Sequence, residues 1–209
     1  MPGRIIESDA CVAEGLAWLC ANDPAMAQAQ AATGPLPLRR KPDGFDELLS
    51  AIVSQQVSVA SARAIWGRMV EAGLVTPEAV LKLTEEELRA LGLSRQKAKY
   101  ARALAAAGID YAALRRAPDD EVVKTLTAVS GIGVWTAEIY AMFSLGRADV
   151  FAPGDLALQV AAQHLYGLDA RPKERALREM AARWSPWRSV AARQLFAYYP
   201  VAKNREGIA

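Results

Sequence analysis

The sequence predicts an all-α protein in two lobes, and three observations carry that prediction. Alanine is the commonest residue and β-branched residues are sparse; apolar residues recur at three- and four-residue spacing along nearly the whole chain; and one proline-rich break interrupts the pattern early. Residues 9–22 form a first amphipathic helix with Val12, Leu16 and Leu19 on one stripe, ended by Asp23-Pro24. Residues 33–42, TGPLPLRRKP, cannot sustain a helix and read as the connector between lobes. Asp43-Gly44 opens a helix over 45–53, and the polar segment Ser54-Gln55-Gln56-Val57-Ser58 separates it from another that runs to about Val70. Helices follow at 77–82, 84–90, 94–107, 110–116 and 119–128, each opening on or just after a Thr, Ser, Asp or Pro as a start signal. A helix from Gly133 to about Ser144 and a non-helical stretch over 147–153 come next. Another helix begins near Asp155, and helical pattern returns over 172–199 with a break at Ser185-Pro186. The first lobe is expected over 45–150, and the second from 1–44 together with 151–209, with a cleft between them.

Composition bounds the function. The chain has 209 residues, 52% of them hydrophobic, which is ample for a core and excludes disorder and fibrous repeats. No apolar run spans a membrane and the N-terminus lacks a secretory signal, so the expected location is the cytoplasm, with no membrane partner. Cys11 and Cys20 are the only cysteines and His164 the only histidine, too few for a four-ligand zinc or iron–sulfur site; packed, reduced thiols and a structural histidine are expected. With 25 Lys and Arg against 23 Asp and Glu, the net charge of +2 points to no particular partner. Placement says more than the total: Arg89, Arg95, Lys97, Lys99, Arg102, Arg115 and Arg116 gather in one region.

The most specific segment is L-T-A-V-S-G-I-G-V-W-T-A over 126–137, flanked by helical pattern, which fits a helix–hairpin–helix within 119–144. Gly131 and Gly133 permit positive φ and close backbone approach, and Ile132 plugs the space between the helices. The turn amides and the head of the next helix then face outward as anion donors, and the Thr136 hydroxyl can join them. About twenty residues on, V-F-A-P-G-D places Asp155 at a predicted helix start.

Hairpin, Gly/Pro-rich loop and aspartate together resemble the helix–hairpin–helix (HhH-GPD) superfamily of DNA glycosylases. Its alkylpurine branch, that of DNA-3-methyladenine glycosylase II, shares G-I-G-x-W-T-A, V-F-x-P-x-D and W-x-P-W-R with residues 131–137, 150–155 and 184–188. The resemblance covers about 45–199 and implies the two-lobed helical glycosylase fold, without the N-terminal β-rich domain of the longer alkylpurine enzymes. It implies Asp155 as the catalytic carboxylate and Trp135, Ile139 and Phe196 around the base. Gly131, Gly133 and Thr136 are then placed on the DNA backbone, and Gln55 and Gln56 in the loop that wedges into the gap left by a flipped base. The main-chain carbonyls of Thr127, Val129 and Ile132 match a monovalent-cation site. Where lyase-type members carry a lysine nucleophile this chain has Trp135, and it lacks the C-terminal cysteines of iron–sulfur members. Trp184 and Trp187, at helical spacing, are expected in the core.

The expected activity is therefore monofunctional removal of alkylated bases, of the 3-methyladenine and 7-methylguanine type, from double-stranded DNA by a monomer without a redox cofactor. The rivals are a non-catalytic hairpin protein that binds damaged or bent DNA and a bifunctional glycosylase/lyase. Loss of base release on Asp155→Asn separates the first rival, and borohydride trapping of a covalent adduct the second.

Overall fold

A computed structural model describes residues 2–205, and they are all-α as expected: among them there is no strand, only an isolated antiparallel bridge between Ile5 and Arg147. No helix among the described residues is long and apolar enough to cross a membrane. The helices are α1 (Asp9–Asn22), α2 (Pro24–Thr33), α3 (Phe45–Ser54), α4 (Val59–Glu71), α5 (Pro77–Leu81), α6 (Glu85–Ala90) and α7 (Arg95–Ala106). They continue with α8 (Tyr111–Arg116), α9 (Asp119–Thr127), α10 (Val134–Phe143), α11 (Leu156–Leu165), α12 (Glu174–Ala181) and α13 (Arg188–Arg205), with a 3₁₀ turn at Ala182–Trp184.

Contacts divide the chain into two compact units. One is Lys41–Tyr140, the other Met1–Arg40 with Ala141–Ala209. The division falls inside α10, ten residues before the expected boundary at 150. The reason is that 141–150 is stitched to the terminal segments: Ile6 N–H donates to the Gly146 carbonyl (2.7 Å), Ala148 N–H to that of Arg4 (3.0 Å) and Ser189 N–H to that of Ala148 (2.9 Å). The Arg188 guanidinium meets both Asp149 oxygens at 2.7 and 3.0 Å.

In unit 41–140, α3 shows how pattern becomes packing. Phe45, Leu48, Leu49, Ile52 and Val53 are all buried, the i, i+3, i+4, i+7, i+8 stripe of a helix with one face in a core, and Asp46 and Glu47 occupy its first turn, where the helix dipole favours acids. Side-chain caps start most of the neighbours. Thr84 and Glu87 form a full capping box on α6, and Ser94 accepts from Lys97 N–H at the head of α7.

In the other unit, 24–33 is helical where no helix was expected. Asp23-Pro24, read from sequence as a stop, ends α1 and starts α2 at once: Asp23 caps α2 by accepting from Ala25 N–H (3.1 Å), and Pro24 takes the first helical position, where its missing N–H costs nothing. The other Asp23 oxygen accepts from Tyr166 Oη (2.6 Å) and Trp184 Nε1 (3.1 Å). Burial first, then this carboxylate, pushes the Tyr166 phenol well above its usual range. Trp184 and Trp187 are core residues, 0% and 4% exposed. The expected break after Trp184 is a cis Ser185–Pro186 peptide, and α13 continues past Pro200 to Arg205. Asp23→Ala removes a cap and orphans one buried and one half-buried donor, so it is expected to cost about 3 kcal/mol in urea unfolding; a loss under about 1 kcal/mol would contradict these roles.

Candidate functional site

The hairpin is built by the ends of α9 and α10. Past Thr127 the chain turns by successive short bonds: Val129 N–H donates to the Leu126 carbonyl (3.1 Å), Ile132 N–H to that of Val129 (3.1 Å), and Ala137 N–H to that of Gly133 (3.0 Å) as α10 begins. Val129 and Ile132 are 8% and 4% exposed, so the apolar plug expected at Ile132 is present. The two glycines differ. Gly131 has φ +98°, and a Cβ there would stand 2.3 Å from Tyr100 Cγ. Gly133 lies outside the left-handed region, and nothing would stand within 4 Å of a Cβ there. Only Gly131 needs positive φ, then; Gly133 leaves open space in front of the backbone.

The helical turn sorts the α10 side chains. Trp135 (46% exposed) and half-buried Ile139 are four residues apart and share a face, whereas Thr136 is only 7% exposed. Tyr140 faces elsewhere: its hydroxyl accepts from Gly44 N–H (2.8 Å), at the head of α3, and burial pushes the phenol above its usual range.

The other end of α3 leads to the expected wedge loop, where the two glutamines part. Gln55 is half-buried and its Nε2 donates to the Gly131 carbonyl at 2.9 Å. Gln56 is exposed and held at φ +52°, a conformation that L side chains rarely adopt and that turns the chain sharply. Exposed Val57 (39%) and Val59 (75%) follow it. Beneath the loop, Lys97 is 7% exposed and its Nζ donates to the Val53 carbonyl (2.7 Å) in the last turn of α3; burial lowers its pKa. The basic region thus divides, because Lys97 serves α3 and Arg102 donates to the Leu83 carbonyl, while Arg89, Arg95, Lys99, Arg116 and Arg115, the last paired with Asp43, are exposed.

Asp155 belongs to the other unit and caps α11. Its Oδ1 accepts from Ala157 N–H (2.8 Å) and Leu158 N–H (3.3 Å). The preceding loop is firm: Phe151, Ala152 and Pro153 are buried, Asp155 N–H donates to the Ala152 carbonyl (3.0 Å), and Gln159 Nε2 braces that of Pro153 (2.8 Å). In the same unit, Phe196 is half-buried against Phe143, with ring centroids 6.2 Å apart. The Arg193 guanidinium lies 4.8 Å over Phe143 and donates to Ser189 Oγ (2.7 Å) and the carbonyls of Ser189 (3.0 Å), Leu38 (3.1 Å) and Met142 (3.4 Å). Burial, with Arg40 and Arg39 nearby, brings its pKa down to about 10. His164 is half-buried in the last turn of α11. Sequence reasoning did not single out Tyr100, Arg193 or the carbonyl contact of Lys97. The only local signal was a lysine and a tyrosine three residues apart on one helix, and it names no partner.

Comparison with known proteins places this geometry. The Bacillus subtilis protein YfjP is 30% identical over 165 residues, 73% of this chain, and the chain spans only 58% of that relative's length. The crystal structure of the DNA-3-methyladenine glycosidase from Bacillus halodurans superposes with a TM-score of 0.81 at 33% identity, covering 95% of this chain and 93% of that one. The Schizosaccharomyces pombe 3-methyladenine DNA glycosylase, solved in complex with abasic DNA, gives 0.75 at 26% identity, over 88% and 95%. The family described as HhH-GPD superfamily base excision DNA repair protein matches residues 49–186, the stretch that carries the loop over 54–58, the hairpin and Asp155. By that match and those likenesses, the chain belongs to the HhH-GPD superfamily, in its alkylpurine branch.

Proposed function

We propose that this protein is a monofunctional DNA glycosylase that hydrolyses alkylated bases, of the 3-methyladenine and 7-methylguanine type, from double-stranded DNA and leaves an abasic site. The observation that carries the reading is Asp155, a carboxylate aimed by two backbone donors, in a chain with Trp135 where lyase-type relatives carry an amine nucleophile. The base must leave the stack before a side chain can reach the sugar. The turn amides at Gly131 and Gly133 grip backbone phosphate, with open approach at Gly133. Thr136 is buried, so its part in that grip falls to its main-chain N–H.

As the glycosidic C–N bond breaks, the base takes the bonding pair and positive charge builds on the sugar. The Asp155 carboxylate stabilises that charge and orients the water whose oxygen forms the new bond to the anomeric carbon and whose proton is lost to solvent. N3- and N7-alkylated purines are already cationic and leave without a strong general acid. The exposed face of Trp135 attracts such a cation by about 1–2 kcal/mol when desolvated. Ile139, on the same face of α10 as Trp135, and Phe196 are the further residues that the resemblance assigns to the base, and Gln56 fills the gap in the stack.

A monovalent cation at the carbonyls of Thr127, Val129 and Ile132 belongs to the same reading. All three are hard oxygen donors, and the Val129 carbonyl, which accepts from Ile132 N–H, has a second lone pair. When bound, the ion supplies positive charge beside a phosphate. The reading includes no iron–sulfur cluster and no redox cofactor, and places a monomer in the cytoplasm.

The test is a panel of duplexes, each carrying one modified base, scored for release. Release of 3-methyladenine or 7-methylguanine with an intact abasic strand is expected. No release from any member, or strand cleavage with a borohydride-trapped adduct, would refute the proposal.

A further inference from the structure

The two glutamines of the loop over 54–58 sit a residue apart and do different things. Gln56 is exposed on strained backbone, while Gln55 turns back to the hairpin 76 residues away. The carbonyl that Gln55 holds belongs to the peptide joining Gly131 to Ile132, and the N–H of that same peptide is held by the Val129 carbonyl. A peptide is planar, so fixing its oxygen at one edge and its N–H at the other fixes the plane. Helix α7 supplies a second brace from a single face. Lys97 Nζ holds the Val53 carbonyl just before the loop, and one turn on, Tyr100 packs against Gly131 so closely that no Cβ fits.

We propose that Gln55 is a positioning residue: it locks the loop bearing Gln56 to the phosphate-gripping turn, so that phosphate contact and insertion into the stack act as one rigid unit. This rests on the glycosylase reading and gives Gln55 a task different from that of Gln56. Without the lock the hairpin still meets phosphate, but Gln56 no longer enters the gap at a set distance from it. The cost falls on keeping the base extruded, and not on binding DNA.

The test uses Gln55→Met, which keeps side-chain length and removes the donor, and Gln55→Glu, which sets a carboxylate against the carbonyl. Both are expected to retain the wild-type melting temperature and affinity for undamaged duplex within about twofold, while fluorescence of a 2-aminopurine reporter of extrusion and base release from duplex fall about tenfold. Release of the same base from a bulge, where it is already unpaired, is expected to change less than about twofold. In a cycle with Gln56→Ala the losses overlap, because Gln55 acts through Gln56. Fully additive losses, an equal fall on the bulge, or no fall on duplex would each overturn the proposal. The extrusion signal does not depend on cleavage, so a wild-type protein that extrudes a base and releases none counts against the glycosylase reading alone.

Discussion

Asp155→Asn is expected to lower base release from alkylated duplex by at least about a hundredfold, the scale of removing one electrostatic stabiliser from a transition state, and to leave folding and DNA binding intact. The substitution is informative because asparagine caps a helix about as well as aspartate. Its amide oxygen can take the place of Oδ1, which accepts from Ala157 and Leu158 N–H, so the head of α11 keeps its shape and loses only the charge. Asp155→Ala would confuse the two effects, since losing the cap alone costs about 1 kcal/mol. Single-turnover release and duplex binding should be measured on the same preparation. Equal release by Asp155→Asn and wild type would refute the mechanism and favour the non-catalytic rival, a hairpin protein that only binds damaged or bent DNA.

Gly131→Ala is expected to be the most damaging small substitution in the hairpin, at about 3 kcal/mol of stability, from left-handed backbone strain and overpacking together. The new Cβ meets the Tyr100 ring at 2.3 Å, and φ +98° is unfavourable for alanine whatever the space. Urea unfolding separates the two causes: Tyr100→Ala in the same chain relieves the clash and leaves the backbone strain. Gly133→Ala makes the contrast, since its backbone is ordinary and its surroundings are open. It is expected to hold stability within about 0.5 kcal/mol while weakening DNA binding, because the methyl occupies the space through which phosphate approaches. Unchanged affinity in Gly133→Ala would place the phosphate elsewhere.

Much of this was legible in the sequence, for local reasons. The buried stripe of α3, the caps of α6 and α7, the glycine turn of the hairpin and the aspartate at the head of α11 are all set within a few residues, where spacing and side-chain chemistry speak directly. The misreadings are as physical. Asp23-Pro24 looked like a terminator because proline cannot continue a helix. The same pair is also a good start signal, and the burial of Met26 and Ala29 decides between them. The seven basic residues gather in one region of the sequence, yet Lys97 and Arg102 turn a donor inward to the Val53 and Leu83 carbonyls while Arg115 stays exposed beside Asp43. Gly131 and Gly133 looked equivalent because positive φ is only permitted by glycine, never announced by it.

The sequence by itself determined the helical class, the place of the hairpin, the aspartate at its helix start and the two glutamines as a pair. Those follow from propensity, periodicity and turn chemistry, which act over a few residues. Only the tertiary structure decided which glutamine is tethered and which is exposed, which glycine is strained, and that a lysine from α7 holds the end of α3. Each of those depends on a donor meeting an acceptor from 44 or 76 residues away, or a ring on another helix packing against a backbone. Buried polar groups must find partners, but nothing in local spacing says which partner the packing will bring.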